Sequence, residues 1–141
     1  MNLNAKSEYA CLAALELAQH FEEAQPMQVR RIAEGHGIPS QFLVQILQDL
    51  KRAGLVASTR GAAGGYRLTQ PPQQITLADV LLAVEGKTEP STCASGSSPL
   101  APVLLEVCQE LSEARRKQLA GTTLADLVAR ATVEVGPMWY I

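Results

Sequence analysis

No apolar run in the chain reaches the roughly 18 residues that a helix needs to cross a bilayer, so no membrane association is expected. The opening residues do not read as a secretory signal, because Lys6, Glu8 and Glu16 fall within a helical pattern. Cysteine is scarce. Cys11, Cys93 and Cys108 are odd in number and lack disulfide spacing, which fits a reducing cytoplasm. A Gly-rich phosphate loop, HExxH, CxxC and any nucleophile–base pattern are all missing, so an enzyme is not expected. No internal repeat stands out. Charge of one sign is also lacking: the net charge of −2 excludes a protein that coats nucleic acid with its whole surface.

What is present is one compact unit with an arm. A chain of 141 residues, 47% hydrophobic, can bury one core. Leu3, Tyr9, Leu12, Leu15, Leu17 and Phe21 give residues 3–24 the apolar side of a first helix, and Gln25-Pro26 ends it. Residues 27–34 read as a short helix that buries Val29, Ile32 and Ala33, with Gly35-His36-Gly37 as a turn. In the next helix Leu43, Ile46, Leu47 and Leu50 share one face. Pro39 suits its first turn, and Gly54 suits the position just past its end. Leu55-Val56 and Tyr66-Arg67-Leu68 read as two strands around a hairpin tip, Arg60 to Gly65. Helix, glycine turn, helix and glycine-tipped hairpin form a winged helix-turn-helix, a DNA-reading unit. The expected class is mainly α with a small β-wing and a long C-terminal dimerisation helix.

Charge is distributed to match. Residues 28–70 hold Arg30, Arg31, Lys51, Arg52, Arg60 and Arg67 against Glu34 and Asp49. The local balance is thus +4, and the rest of the chain carries −6. Such a basic module concentrates phosphate attraction where the reading helix lies. Further on, Thr76 is a plausible N-cap for a short helix. Leu100, Leu104, Val107, Leu111, Ala114 and Gln118 then recur at alternating spacings of four and three, a heptad seam. Glu113 and Lys117 are placed to pair on its wet face, and Gly121 ends the helix. Three segments follow: 1–84, a DNA-binding unit; 85–99, an effector or cluster loop; and 100–141, the dimerisation helix with an apolar tail. Leu100, Leu104, Val107 and Leu111 are the candidate dimer contacts.

The run from Pro39 to Gly86 resembles the Rrf-two family of bacterial winged-helix regulators, the group with IscR, NsrR and CymR types. The residues that carry the resemblance are Ile38-Pro39, Phe42-Leu43, Gln45-Ile46-Leu47, Leu50, Gly54-Leu55-Val56, Arg60-Gly61, Gly64-Gly65-Tyr66 and Ile75 to Val80. Leu3, Lys6, Tyr9 and Ala10 match the opening helix of the family, and the similarity spans roughly residues 1–130. The resemblance implies a homodimeric transcription regulator, often a repressor, on a palindromic double-stranded operator. It places Gln41, Phe42, Val44 and Gln45 at bases or backbone in the major groove, and Arg60 in the minor groove. The full candidate DNA-contacting set adds Arg30, Ser40, Gln48, Lys51 and Tyr66. Val44 departs from relatives that carry a glutamate there; valine offers only apolar contact, as with a thymine methyl.

The signal is read less directly. Many relatives hold an iron–sulfur cluster on three cysteines in the loop before the long helix, whereas this loop has Cys93 alone. A mixed ligand set of Cys93, Cys108, Glu8 and His36, drawn partly from the partner, is one reading that the resemblance implies. Without a cluster, Cys93 is either a redox-reactive thiol or a spare one, and a small ligand or protein partner is the third reading. Cys11 reads as core, Cys108 as a buried structural thiol, and His20 as a residue serving the end of the first helix. The competing function is a winged-helix scaffold for protein interaction without DNA binding.

Overall fold

The computed structural model describes residues 3–23, 25–86 and 98–135. Helix α1 spans Ala5–Gln19 and opens on Asn4, whose side-chain oxygen accepts from the Ser7 N–H at 2.8 Å. Its buried face is made of small residues, namely Ser7, Ala10, Cys11, Ala13, Ala14 and Ala18 around Leu17. Small side chains let neighbouring helices approach closely, and α1 accordingly packs against α3 (Ser40–Arg52), α4 (Leu77–Glu85) and α6 (Leu124–Val135). The leucine-rich side expected from the sequence is only partly enclosed, with Leu12 and Leu15 half-buried. The helix also stops at Gln19 rather than near residue 24, with His20 as its C-cap.

Helix α2 spans Val29–His36 and ends where Gly37 turns to φ +63°. Gly35 and His36 therefore belong to the helix and not to the turn. Met27, expected as the helix start, instead bridges a strand. Ile38 returns to the core, and Pro39 occupies the N-cap of α3 rather than its first turn. Leu43, Ile46, Leu47 and Leu50 of α3 are enclosed, as the three-and-four spacing requires. Strands β1 (Val56–Thr59) and β2 (Gly65–Leu68) pair antiparallel, with Val56 opposite Leu68 and Thr59 opposite Gly65. This hairpin is the wing.

After a single 3-10 turn at Pro72–Gln74, α4 begins on a reciprocal cap. Asp79 donates its N–H to the Thr76 hydroxyl at 3.1 Å, and Thr76 donates its N–H to the Asp79 carboxylate at 2.9 Å. The same arrangement recurs at Thr123 and Asp126 before α6, at 2.9 and 3.1 Å. The two caps are clasped together. Leu77 donates to the Thr122 carbonyl at 3.0 Å and Leu124 donates to the Ile75 carbonyl at 2.9 Å, around the bridge of Thr76 and Thr123. Thr-Leu-Ala-Asp at 76–79 is thus repeated at 123–126, a short repeat that the sequence reading passed over.

Helix α5 spans Ala101–Ala120 and contains no buried residue. At about 1.5 Å per residue it is about 30 Å long. It touches the body through α4, aided by Arg115 lying 3.8 Å from the Glu85 carboxylate. Glu113 pairs with Arg116, at 2.6 and 3.1 Å, rather than with Lys117. Helix α6 turns back: Leu124 is fully enclosed, and the helix packs on α1 and on the 3-10 turn. The stretch 100–141 is therefore not one packed unit, because its second helix completes the core of the N-terminal body. The apolar tail, 136–141, lies outside the described residues, as do 87–97 of the loop. No helix among the described residues is long and apolar enough to cross a membrane.

Candidate nucleic-acid interface

Burying Leu43, Ile46, Leu47 and Leu50 turns the opposite face of α3 outward. Ser40, Gln41, Phe42, Val44, Gln45, Gln48 and Lys51 all lie exposed on it. Phe42 is 50% exposed and Val44 40% exposed, so two large apolar side chains stand in water on a helix that had polar alternatives. Phe42 is steadied edge-on by Tyr9 of α1, ring centres 6.2 Å apart. Lys6, Gln41, Phe42 and Gln45 line a shallow cleft of about 310 Å³ on this face. Lys6 was matched to the opening helix but not proposed as part of the interface. Its place there depends on the crossing of α1 over α3, which no local pattern encodes.

The wing is fixed to the reading unit at three points. Met27 and Tyr66 exchange two backbone hydrogen bonds of 2.8 Å, an isolated antiparallel bridge that ties the segment before α2 to the hairpin. The Gln28 side chain donates to the Ala62 carbonyl in the tip at 3.0 Å. Lys51, in the last turn of α3, donates to the Ser58 hydroxyl of β1 at 2.7 Å. The bridge depends on Gly65. A Cβ there would lie 2.2 Å from the Met27 carbonyl oxygen, and its φ of +156° disfavours side chains. Arg60 stands exposed at the start of the tip, and Arg31 and Arg67 are exposed as well. Arg30 is exposed and donates to Glu34 at 2.9 Å. Tyr66, placed among the DNA contacts by the sequence, has its side chain half-buried against the core while its backbone bonds to Met27.

Among the described residues, the candidate iron ligands Glu8, His36 and Cys108 lie on three different helices of one chain. Glu8 is exposed near the start of α1, and Cys108 is half-buried on α5 rather than in the core. His36 closes α2 with its Nε2 at 3.3 Å from Glu16 of its own chain, and His20 meets the same carboxylate at 3.6 Å and Glu23 at 2.7 Å. Cys93 lies outside the described residues. Among the described residues, no group of three His, Cys, Asp or Glu side chains could hold a metal ion. Cys11 is enclosed in the core, and burial, reinforced by Glu85 and Glu8, pushes its thiol up to about 11. It is therefore a protonated packing residue. On α5, Leu100, Leu104, Val107 and Leu111 are 73%, 57%, 47% and 57% exposed. They form an apolar stripe with nothing against it in a single chain.

Comparison with known proteins agrees with this geometry. The family model Rrf2, described as an iron-dependent transcriptional regulator, matches residues 3–130. A Synechocystis protein named as an HTH-type transcriptional regulator is 40% identical over 129 residues, 90% of this chain and 87% of that one. The structure of IscR from T. potens superposes with a TM-score of 0.77 at 32% identity, covering 93% of this chain and 88% of that one. The structure of CymR, the global cysteine regulator of B. subtilis, superposes at 0.79 with 30% identity, covering 92% and 98%. The chain belongs to the Rrf2 family of HTH-type transcriptional regulators: it is a DNA-binding regulator of transcription and not an enzyme.

Proposed function

We propose that two copies of the chain join along α5 and repress transcription from a palindromic operator. Each α3 lies in a major groove and each wing reaches toward the adjacent minor groove. The observation that carries this reading is the pair of unmatched faces. Residues Gln41, Phe42, Val44 and Gln45 project from α3 and Arg60 is exposed at the hairpin tip, while Leu100, Leu104, Val107 and Leu111 leave an apolar stripe on α5. Gln41, Gln45 and Gln48 supply donors and acceptors for base edges, Phe42 and Val44 supply apolar contact, and Ser40, Arg30 and Lys51 serve phosphates. A scaffold acting on proteins alone gives no reason for the basic tip and the three glutamines.

The test pairs assembly with binding. Leu104→Asp or Leu111→Asp puts an unpaired charge into the stripe. Sedimentation is expected to show monomers, and gel shift against the upstream region of its own gene is expected to show lost affinity. A Leu104→Asp protein that stays dimeric and bound to the operator would remove the assembly reading. Wild-type protein that shifts no DNA would favour the scaffold.

The name of the family keeps an iron-dependent signal in view. An iron–sulfur cluster here would take Cys93 and Cys108 with Glu8 and His36 of the partner subunit. Within one chain His36 faces Glu16, and such a set would have to be completed across the subunit boundary. Sensing through the Cys93 thiol, or through a small ligand or protein partner, needs no such gathering.

A further inference from the structure

Asp49 is an acid on the helix that reads DNA, and its side chain is 9% exposed. A carboxylate buried next to a polyanion's binding face is unfavourable unless its charge is matched and its oxygens are hydrogen-bonded. The structure shows that matching in full. Oδ2 lies 3.1 Å from the Lys6 ammonium, which crosses from α1. Oδ1 accepts from Arg52 Nη1 at 3.2 Å and from Gln45 Nε2 at 3.3 Å. Of the three donors, Gln45 is the one on the outward face of α3.

The geometry points to Asp49 as a positioning residue that orients the Gln45 amide and so selects the base that Gln45 reads. This inference rests on the proposed role of α3. A carboxylate only accepts, so it holds the NH₂ end of the amide; the flipped amide would set a carbonyl oxygen against the carboxylate. One N–H of Gln45 is thereby committed to Asp49. The other N–H and the carbonyl oxygen remain for the groove. One donor and one acceptor on a planar amide match adenine, whose major-groove edge offers N7 as acceptor and N6–H₂ as donor. Lys6 and Arg52 hold the carboxylate in place and offset its repulsion of phosphate. Asp49 thus acts through Gln45 and touches no base.

The test is selection of bound duplexes from a pool with a randomised window of about 30 base pairs, enough for two half-sites one turn apart. Wild type, Gln45→Ala, Asp49→Asn and Asp49→Leu are compared as full-length protein. Asp49→Leu removes the acceptor, and an apolar replacement of a buried charge is commonly tolerated where Lys6 and Arg52 both reach water. Asp49→Asn keeps an acceptor oxygen for the Gln45 amide and is the conservative control. Wild type is expected to enrich adenine at one position of the motif. Gln45→Ala and Asp49→Leu are expected to flatten that preference by about 5- to 100-fold while the other positions keep theirs, and Asp49→Asn is expected to retain more of it than Asp49→Leu. An Asp49→Leu protein that binds every sequence more weakly but enriches an unchanged motif would overturn the inference and reduce Asp49 to a packing role. Wild-type protein that enriches no sequence would overturn the base-reading role of α3 itself, and this inference with it.

Discussion

Replacing Gly65 by alanine tests the wing at its point of attachment. The new methyl would sit 2.2 Å from the Met27 carbonyl oxygen and 2.9 Å from the Gln28 nitrogen, far inside contact distance. Backbone on one side has to move, and the Met27–Tyr66 bridge is what lies between. Two hydrogen bonds of 2.8 Å are then lost. At about 1 kcal/mol each, with about 1–3 kcal/mol more for a side chain at a glycine-only backbone angle, the expected destabilisation is about 3–5 kcal/mol. For a domain of this size that is a fall in melting temperature of about 10 °C. Gly61→Ala is the control. Its φ is +103°, but a Cβ there meets no atom within 4 Å, so only the conformational cost of about 1–2 kcal/mol applies. Urea titration of both variants and wild type measures the difference. A Gly65→Ala loss below about 1 kcal/mol, or one equal to that of Gly61→Ala, would refute the account of the Met27–Tyr66 bridge holding the wing.

Four further outcomes are expected. Arg60→Ala should weaken operator binding by about 1–3 kcal/mol if the guanidinium reads the groove, measured across a salt series in which the dimer persists; an unchanged constant would remove it from the interface. Leu124→Ala should destabilise the whole body by about 2–5 kcal/mol, because Leu124 is enclosed in the common core; urea melts that leave the body as stable as wild type would show that α6 is merely an appendage. Stability should decline as pH rises above 9 toward 11, since the folded Cys11 keeps its proton to about 11 while the unfolded chain releases it nearer 9; Cys11→Ala should lose that component in melts at pH 8 and 10.5. Reconstitution with iron and sulfide under nitrogen should leave the protein colourless on the thiol reading. A coloured product that disappears in Cys93→Ser and His36→Ala would instead establish the mixed ligand set.

Local patterns made the reading helix and the hairpin legible. Leu43, Ile46, Leu47 and Leu50 encode a face by spacing alone, and glycines at 61, 64 and 65 announce a turn whatever surrounds them. The face of α1 was harder to read. Its contacts use alanines, which carry little periodic signal, so the eye goes to Leu12 and Leu15, which the fold leaves half-buried. The grouping of Lys6, Gln45 and Asp49 was illegible for another reason: it spans two helices, and their crossing is a tertiary fact. Tyr66 sits in a motif associated with the wing, yet its half-buried ring also packs against the core. The return of α6 had a visible cue in the repeated Thr-Leu-Ala-Asp, but a four-residue repeat gains meaning only once the two caps are seen to touch.

That clasp turns α5 into a lever with its pivot at one end. Thr122 and Thr123 are held against Ile75 and Leu77, whereas the first turns of the helix reach about 30 Å outward with no enclosed side chain. A rotation of about 10° at such a pivot carries the far end through about 5 Å. In a pair of chains joined along this helix, that same small angle would instead swing the two bodies apart by a comparable amount. On the proposed palindromic operator, two α3 helices meeting grooves about 34 Å apart would tolerate little of it. In such a pair, a rotation at the clasp would change the spacing of the two α3 helices without bending anything in the winged helix.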